Sequence, residues 1–146
     1  MKLVQDILRA KNASKVWAVK PDDSVYSALT LMAEKDVGAV VVMDGERITG
    51  ILSERDYARK VVLRGLVSRN TAVRDIMTPD VLVVGLRRTV DECMALMTDK
   101  RIRHLPVVDG DRLVGMVSIG DVVKAQIAER EFVIEQLTQY ITGRIR

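Results

Sequence analysis

Gly50-Ile51-Leu52-Ser53-Glu54-Arg55-Asp56 runs from an apolar stretch straight into Ser-x-x-Asp, and Gly115-Met116-Val117-Ser118-Ile119-Gly120-Asp121 does nearly the same later in the chain. Ser-x-x-acid is the pattern of a helix capping box, in which the serine oxygen accepts from the third helical amide and the acid reaches back to the cap. A helix start also offers free amides and the positive end of the helix dipole, a favourable place for anions such as phosphate. A short carboxylate one turn in can accept both hydroxyls of a cis-diol, as on ribose. The capping box prefers Glu or Gln and makes no demand on a preceding glycine, whereas both phrases have Asp and both keep Gly. Capping and binding are compatible, so both readings stay open here. On the binding reading, Gly50 and Gly115 leave room for a ligand against the strand backbone.

The two phrases belong to a longer repeat. At an offset of 65, the step from Asp56 to Asp121, Val16 to Val61 aligns with Val81 to Gln126 without a gap. Identical pairs include Val25/Val90, Met32/Met97, Asp44/Asp109, Gly45/Gly110 and Ser53/Ser118. The lead-ins also correspond, Val4-Gln5-Asp6-Ile7-Leu8 with Val73-Arg74-Asp75-Ile76-Met77, with four extra residues following in the first copy. A period of about 70 residues present only twice predicts a pseudo-twofold pair rather than a solenoid.

Within a copy, Val16 to Val19 reads as a short strand, and Pro21-Asp22-Asp23-Ser24 starts a helix over Val25 to Lys35. Val25, Ala28, Leu29, Met32 and Ala33 fall on one face of that helix. Ala39 to Met43 and Arg47 to Leu52 form a hairpin around Asp44-Gly45, and Ser53 opens a helix over Glu54 to Leu63. The unit is β-α-β-β-α. The expected fold is α+β, with two such motifs (residues 1–69 and 70–146) packed through their sheets and a long C-terminal helix, Ile119 to Tyr140. Val122, Val123, Ile127, Phe132, Val133, Leu137 and Tyr140 give that helix more apolar surface than a terminal helix needs, enough to cover a neighbouring layer or form a subunit contact.

The bulk composition narrows the classes of function. The 146 residues are 48% hydrophobic and 29% charged but 3% aromatic, so the core is aliphatic. The net charge of +3 is spread over the whole length without a basic block, which argues against nucleic acid. No apolar run approaches the roughly 20 residues of a membrane span. The opening segment lacks the uninterrupted apolar core of a signal peptide, and a cytoplasmic location is expected. His104 is the single histidine and Cys93 the single cysteine, which leaves no dyad, no metal cluster and no metal site to predict. Cys93 aligns with Ala28 and reads as a small buried hydrophobe, Trp17 aligns with Leu82 and reads as core, and Met32, Met94 and Met97 read as packing.

The two glycine-to-aspartate phrases, each preceded by an Asp-Gly hairpin, closely resemble the Gly-h-x-Ser/Thr-x-x-Asp motif of cystathionine-β-synthase (CBS) domains, and Arg103-His104-Leu105-Pro106-Val107 resembles that family's second-strand motif. The resemblance covers nearly the whole chain. It implies a Bateman module, two sheets about a pseudo-twofold axis with two clefts that bind adenosine-containing ligands: AMP, ADP, ATP, S-adenosylmethionine or NAD. Carried over by position, one cleft combines Ser53, Arg55 and Asp56 with Thr78, Val81, Arg103, His104 and Pro106. The other combines Ser118 and Asp121 with Lys15, Val16, Trp17, Gly38 and Ala39, small neutral residues standing where the first cleft has its charges. On that basis the Asp56 cleft is expected to be the stronger one. The resemblance further implies a regulatory sensor that is not an enzyme, signalling by conformational change to a partner protein and pairing as a homodimer through Glu54 to Leu63 and Ile119 to Tyr140. The alternative is a protein-interaction or dimerisation module with no nucleotide role.

Overall fold

The computed structural model describes residues 2–11 and 16–143. In chain order the elements are α1 (Val4–Ala10), β1 (Ala18–Val19), α2 (Val25–Lys35), β2 (Ala39–Asp44), β3 (Arg47–Ser53), α3 (Glu54–Tyr57), α4 (Val73–Ile76), β4 (Val84–Gly85), α5 (Val90–Lys100), β5 (His104–Asp109), β6 (Arg112–Ser118) and α6 (Ile119–Ile141). A π turn over Ala58–Val62 continues α3, so the helical stretch expected after Ser53 is present but widened by i→i+5 hydrogen bonds. The strands form two three-stranded sheets in the orders β1-β2-β3 and β4-β5-β6. The architecture is α+β, as the repeat predicts.

Local chemistry fixes the helix ends. The Ser24 hydroxyl accepts the Ser27 amide at 3.1 Å and starts α2. Val25, Ala28 and Met32 are buried, Leu29 is half-buried and Ala33 is exposed, so the buried stripe is narrower than the sequence face suggests. In α5 the equivalent Val90, Cys93 and Met97 are buried. Both helices end on a left-handed residue, Asp36 at φ 53° and Arg101 at φ 55°. The amides of Val37 and Ile102 then return to the carbonyls of Met32 and Met97 at 3.0 and 3.1 Å, satisfying groups that a helix end would otherwise leave open.

The hairpins turn on Gly45 and Gly110, each at φ 63°. Asp44 pairs with Arg47, so the loop residues are Gly45-Glu46, one position later than the Asp-Gly dipeptide indicates. The first strand of each copy is short. Trp17 contributes its carbonyl, which accepts the Val41 amide at 3.2 Å, but the pairing ladder begins at Ala18. In the second copy Pro106 stands at the Val41 position without an N–H, and β4 correspondingly starts one place later, pairing Val84 with Val107 and Gly85 with Val108.

The chain divides into two compact units that do not coincide with the two sequence copies. One comprises residues 16–83 with 112–114, and the other residues 2–11, 84–111 and 115–143. Each unit therefore contains the body of one copy and the lead-in of the other. In the first unit the Val25 amide donates to Thr71 at 2.9 Å and the Val73 amide to Asp23 at 2.8 Å. In the second the Val4 amide donates to Arg88 at 2.8 Å and the Val90 amide to Lys2 at 3.0 Å, the same exchange at equivalent positions.

The lead-ins also explain the motif glycines. A Cβ on Gly50 would lie 2.5 Å from the Met77 sulfur and 3.0 Å from the Thr78 carbonyl oxygen, and one on Gly115 would lie 2.7 Å from a Leu8 methyl. Leu8 and Met77 are equivalent residues of the two lead-ins. The space read in the sequence as ligand room is thus filled by a side chain from the chain itself, and that reading of the glycines is corrected.

The inner half of α6 buries Val122 and Ala125, while Ile127, Phe132, Ile134 and Leu137 further along are more than half exposed. Gly50→Ala is expected to destabilise by about 1–3 kcal/mol, the usual scale of overpacking, because a backbone carbonyl blocks relaxation. Gly115→Ala should cost less, since the Leu8 side chain can rotate. Urea unfolding of both variants checks the order, and in a double-mutant cycle Leu8→Ala should absorb part of the Gly115→Ala loss.

Candidate carboxylate sites at the two motif helices

At each junction the serine remains extended, φ −118° at Ser53 and −96° at Ser118, while the next residue is helical. The Asp56 amide donates to Ser53 Oγ at 3.2 Å, and the Ser53 amide donates back to Asp56 Oδ2 at 3.0 Å. The same exchange links Ser118 and Asp121 at 3.1 and 2.9 Å. The capping box is therefore real in both copies, with Asp in place of Glu.

The two carboxylates differ in what else they hold. Asp56 Oδ2 also accepts the Ser53 hydroxyl at 3.1 Å, while Oδ1 accepts Thr78 Oγ1 at 3.2 Å and faces the Lys60 ammonium at 3.1 Å. A carboxylate has about four acceptor sites, and all of those on Asp56 are occupied. Lys60 is further fixed by donating to the Ile76 carbonyl at 3.0 Å.

Position 125, equivalent to Lys60, is a largely buried alanine, so the second copy has no lysine at that position. Lys11 at the end of α1 supplies one instead, its ammonium 2.8 Å from Asp121 Oδ2 and 3.1 Å from the Met116 carbonyl. Among the described residues nothing donates to Asp121 Oδ1, and the side chain remains 22% exposed. Burial pushes the Asp121 carboxyl up, but the Lys11 ammonium and the Ser118 amide and hydroxyl outweigh it and hold the group below its ordinary value. Asp121 is thus ionised at neutral pH, with one oxygen that takes no partner among the described residues.

The remaining predicted residues have the following places. His104 is half-buried at the start of β5. Burial holds its imidazole below the ordinary range, with Arg103 and Lys11 adding to that effect and the Asp121 charge opposing it. Arg103 is exposed, and its carbonyl accepts the Ile119 amide at 2.8 Å. It lines an open depression of about 550 Å³ together with Ile119, Gly120, Val123, Lys124 and Ile127. Pro106 is buried and Val81 half-buried, whereas Arg55 is exposed on the first turn of α3. In the first copy the Gly38 carbonyl accepts the Glu54 amide at 3.0 Å, and Ala39 pairs with Ser53.

Arg103 and His104 lie with Ser118 and Asp121, and Gly38 and Ala39 with Ser53, while Thr78 reaches Asp56 and Lys11 reaches Asp121 from the other copy. Val16 and Trp17 are half-buried, and the Trp17 ring carries the Lys35 ammonium 4.5 Å from its centre while packing on the core. Lys15 lies outside the described residues. Sequence reasoning missed Lys60 and Lys11. The spacing of Lys60 from Asp56, one helical turn, was available as a signal; nothing local marks Lys11.

A family model described as the CBS domain matches the chain twice, over residues 4–63 and 73–128. The CBS domain-containing protein CBSX3, mitochondrial, of Arabidopsis thaliana is 42% identical over 149 residues, covering 96% of this chain and 72% of that one. The structure of a protein with CBS domains from Burkholderia ambifaria MC40-6 superposes with a TM-score of 0.84 at 51% identity, covering 87% of this chain and 95% of the other. The CBS domain pair of MJ0100, solved in complex with 5′-methylthioadenosine and S-adenosyl-L-methionine, shares the fold at a TM-score of 0.74 and 23% identity, covering 85% of this chain and 98% of its own. Among the described residues no helix is long and apolar enough to cross a membrane. With the motif written twice, both copies matched and the sheets in place, the chain belongs to the CBS-domain family as a tandem pair.

Proposed function

We propose that this chain senses an adenine nucleotide (AMP, ADP, ATP or NAD) at Asp121, while Asp56 serves the fold. A CBS pair is a regulatory module; the ligand and its place are our reading. The observation that carries it is the open Oδ1 of an ionised Asp121 beside Lys11 and near Arg103, His104 and Lys124. Oδ1 accepts the ribose diol, and Arg103 and Lys124 beside the start of α6 receive phosphate. The ligands of MJ0100 are adenosine compounds, which supports the ligand class at the level of a shared fold. This ranking reverses the sequence expectation, because Asp56 has no free acceptor site to offer. A chemical step has no support here: Cys93 is fully buried, with its thiol pushed up to about 11 chiefly by that burial.

Binding at Asp121 acts on α6, whose outer half is the surface another protein would meet. Val123, Ile127, Ile134, Leu137 and Ile141 lie at intervals of four, seven, three and four residues on α6 and are all exposed, an apolar stripe interrupted at Arg130 whose spacing favours a helix pair. That pattern supports assembly as a homodimer, and on the second reading assembly is the whole function.

In calorimetric titration, Asp121→Asn is expected to weaken AMP or NAD binding by about 1.5–3 kcal/mol, the scale of hydrogen bonds to charged groups. Asp56→Asn should keep the affinity and instead lower unfolding stability by about 1–3 kcal/mol, because buried donors lose their acceptor. A thermal-shift panel of AMP, ATP, NAD and S-adenosylmethionine with no response from any member would leave the assembly reading standing. Light scattering at micromolar concentration should give a dimer mass, and a monomer mass would sink the helix pairing.

The depressed His104 value has a stability consequence of fixed sign. Between its ordinary value near pH 6.5 and its lower folded value, the unfolded chain holds the extra proton. Stability therefore falls as pH drops through that window, and His104→Gln should flatten the slope there. Asp121 contributes below it: its stabilisation, present above the ordinary carboxylate value, is lost as pH falls towards the lower folded one.

A further inference from the structure

We propose that Lys11 and Asp121 read one ribose hydroxyl together, so that Lys11 is a specificity residue for the sugar. The inference rests on the nucleotide reading above and names a part of the site that the motif does not contain. A lysine ammonium has three donors. Lys11 directs one to Asp121 Oδ2 at 2.8 Å and one to the Met116 carbonyl at 3.1 Å, and among the described residues nothing takes the third. Asp121 Oδ1 is open on the same carboxylate. A hydroxyl, unlike a hydrogen or a methyl, donates and accepts at once: its proton goes to Oδ1 and its oxygen takes the third N–H of Lys11, closing a ring through the carboxylate. A sugar lacking that hydroxyl leaves both a charged acceptor and a charged donor unpaired, the arrangement that rejects analogues most strongly. Lys60 cannot play this part in the first copy, because its partner Asp56 has no open oxygen.

The test compares AMP with its 2′-deoxy and 3′-deoxy forms by calorimetry on the full chain. The unmodified protein should prefer AMP over at least one deoxy form by about tenfold or more, the lower end for hydrogen bonds to charged groups. Lys11→Met should bring that ratio to within about threefold, and Lys11→Gln, which keeps a donor, should restore part of it. Lys11 is exposed at the end of a helix anchored by buried Val4, Ile7 and Leu8, so these variants should fold, and circular dichroism checks that they do. An unchanged ratio in Lys11→Met, including equal weakening of all three ligands, overturns the Lys11 assignment and leaves the nucleotide reading intact. Absence of AMP binding to the unmodified protein overturns the Lys11 assignment, and the nucleotide reading falls with it if ADP, ATP and NAD also fail to bind.

Discussion

A strand that turns directly into a helix leaves amides without partners at the junction, and the rest of this protein follows from how they are satisfied. In both copies one aspartate oxygen, Oδ2, accepts the serine amide while the serine oxygen accepts the aspartate amide. That exchange holds the serine extended and starts the helix. It also fixes the carboxylate at the helix start with a second oxygen whose fate the box does not decide. Fold and candidate site share a side chain, and the acceptor capacity of one carboxylate is the quantity they divide.

What occupies the second oxygen depends on packing between segments far apart in sequence. Leu8 and Met77 fill the space above Gly115 and Gly50, and the lead-in segments that carry them are bonded through other residues to the body of the other copy. Neither copy is complete without this exchange, since each unit takes its body from one and its lead-in from the other. One consequence is that Lys11 stands beside Asp121, and another is that Thr78 stands beside Asp56. Polar partners of the two carboxylates therefore arrive with the apolar anchors.

Local patterns were legible in the sequence because they depend on residues within a turn or two of each other. Ser24 and its helix, the buried Val25/Ala28/Met32 stripe with its counterpart, both hairpins and the Ser-x-x-Asp caps all follow from such spacing. The role of the glycines was not legible, since an absent side chain reads alike whether a ligand or a leucine fills the space. Nor was the bond from the first amide of α6 to the Arg103 carbonyl, which closes across a hairpin. The effect of Pro106 lies between these cases: its missing N–H is plain from the sequence, but the later start of β4 requires knowing that its neighbour in the sheet is the short parallel strand.

The source of each lysine gives the two motifs different standing. Lys60 is one turn from Asp56 on the same helical stretch and stays near it whenever that helix forms, so the Asp56 cluster is part of the fold of its unit. Lys11 reaches Asp121 only while α1 is docked, held by Val4, Ile7 and Leu8. Under the proposed reading a ligand at Asp121 then interacts with the docked state of α1 in a way it does not with an undocked one, and binding and docking are thermodynamically linked. Linkage is reciprocal: by whatever factor docking tightens the ligand, the ligand favours docking. A sensor needs such a second state, and here the candidate is an N-terminal helix whose one charged contact with the motif is also a contact offered to the sugar.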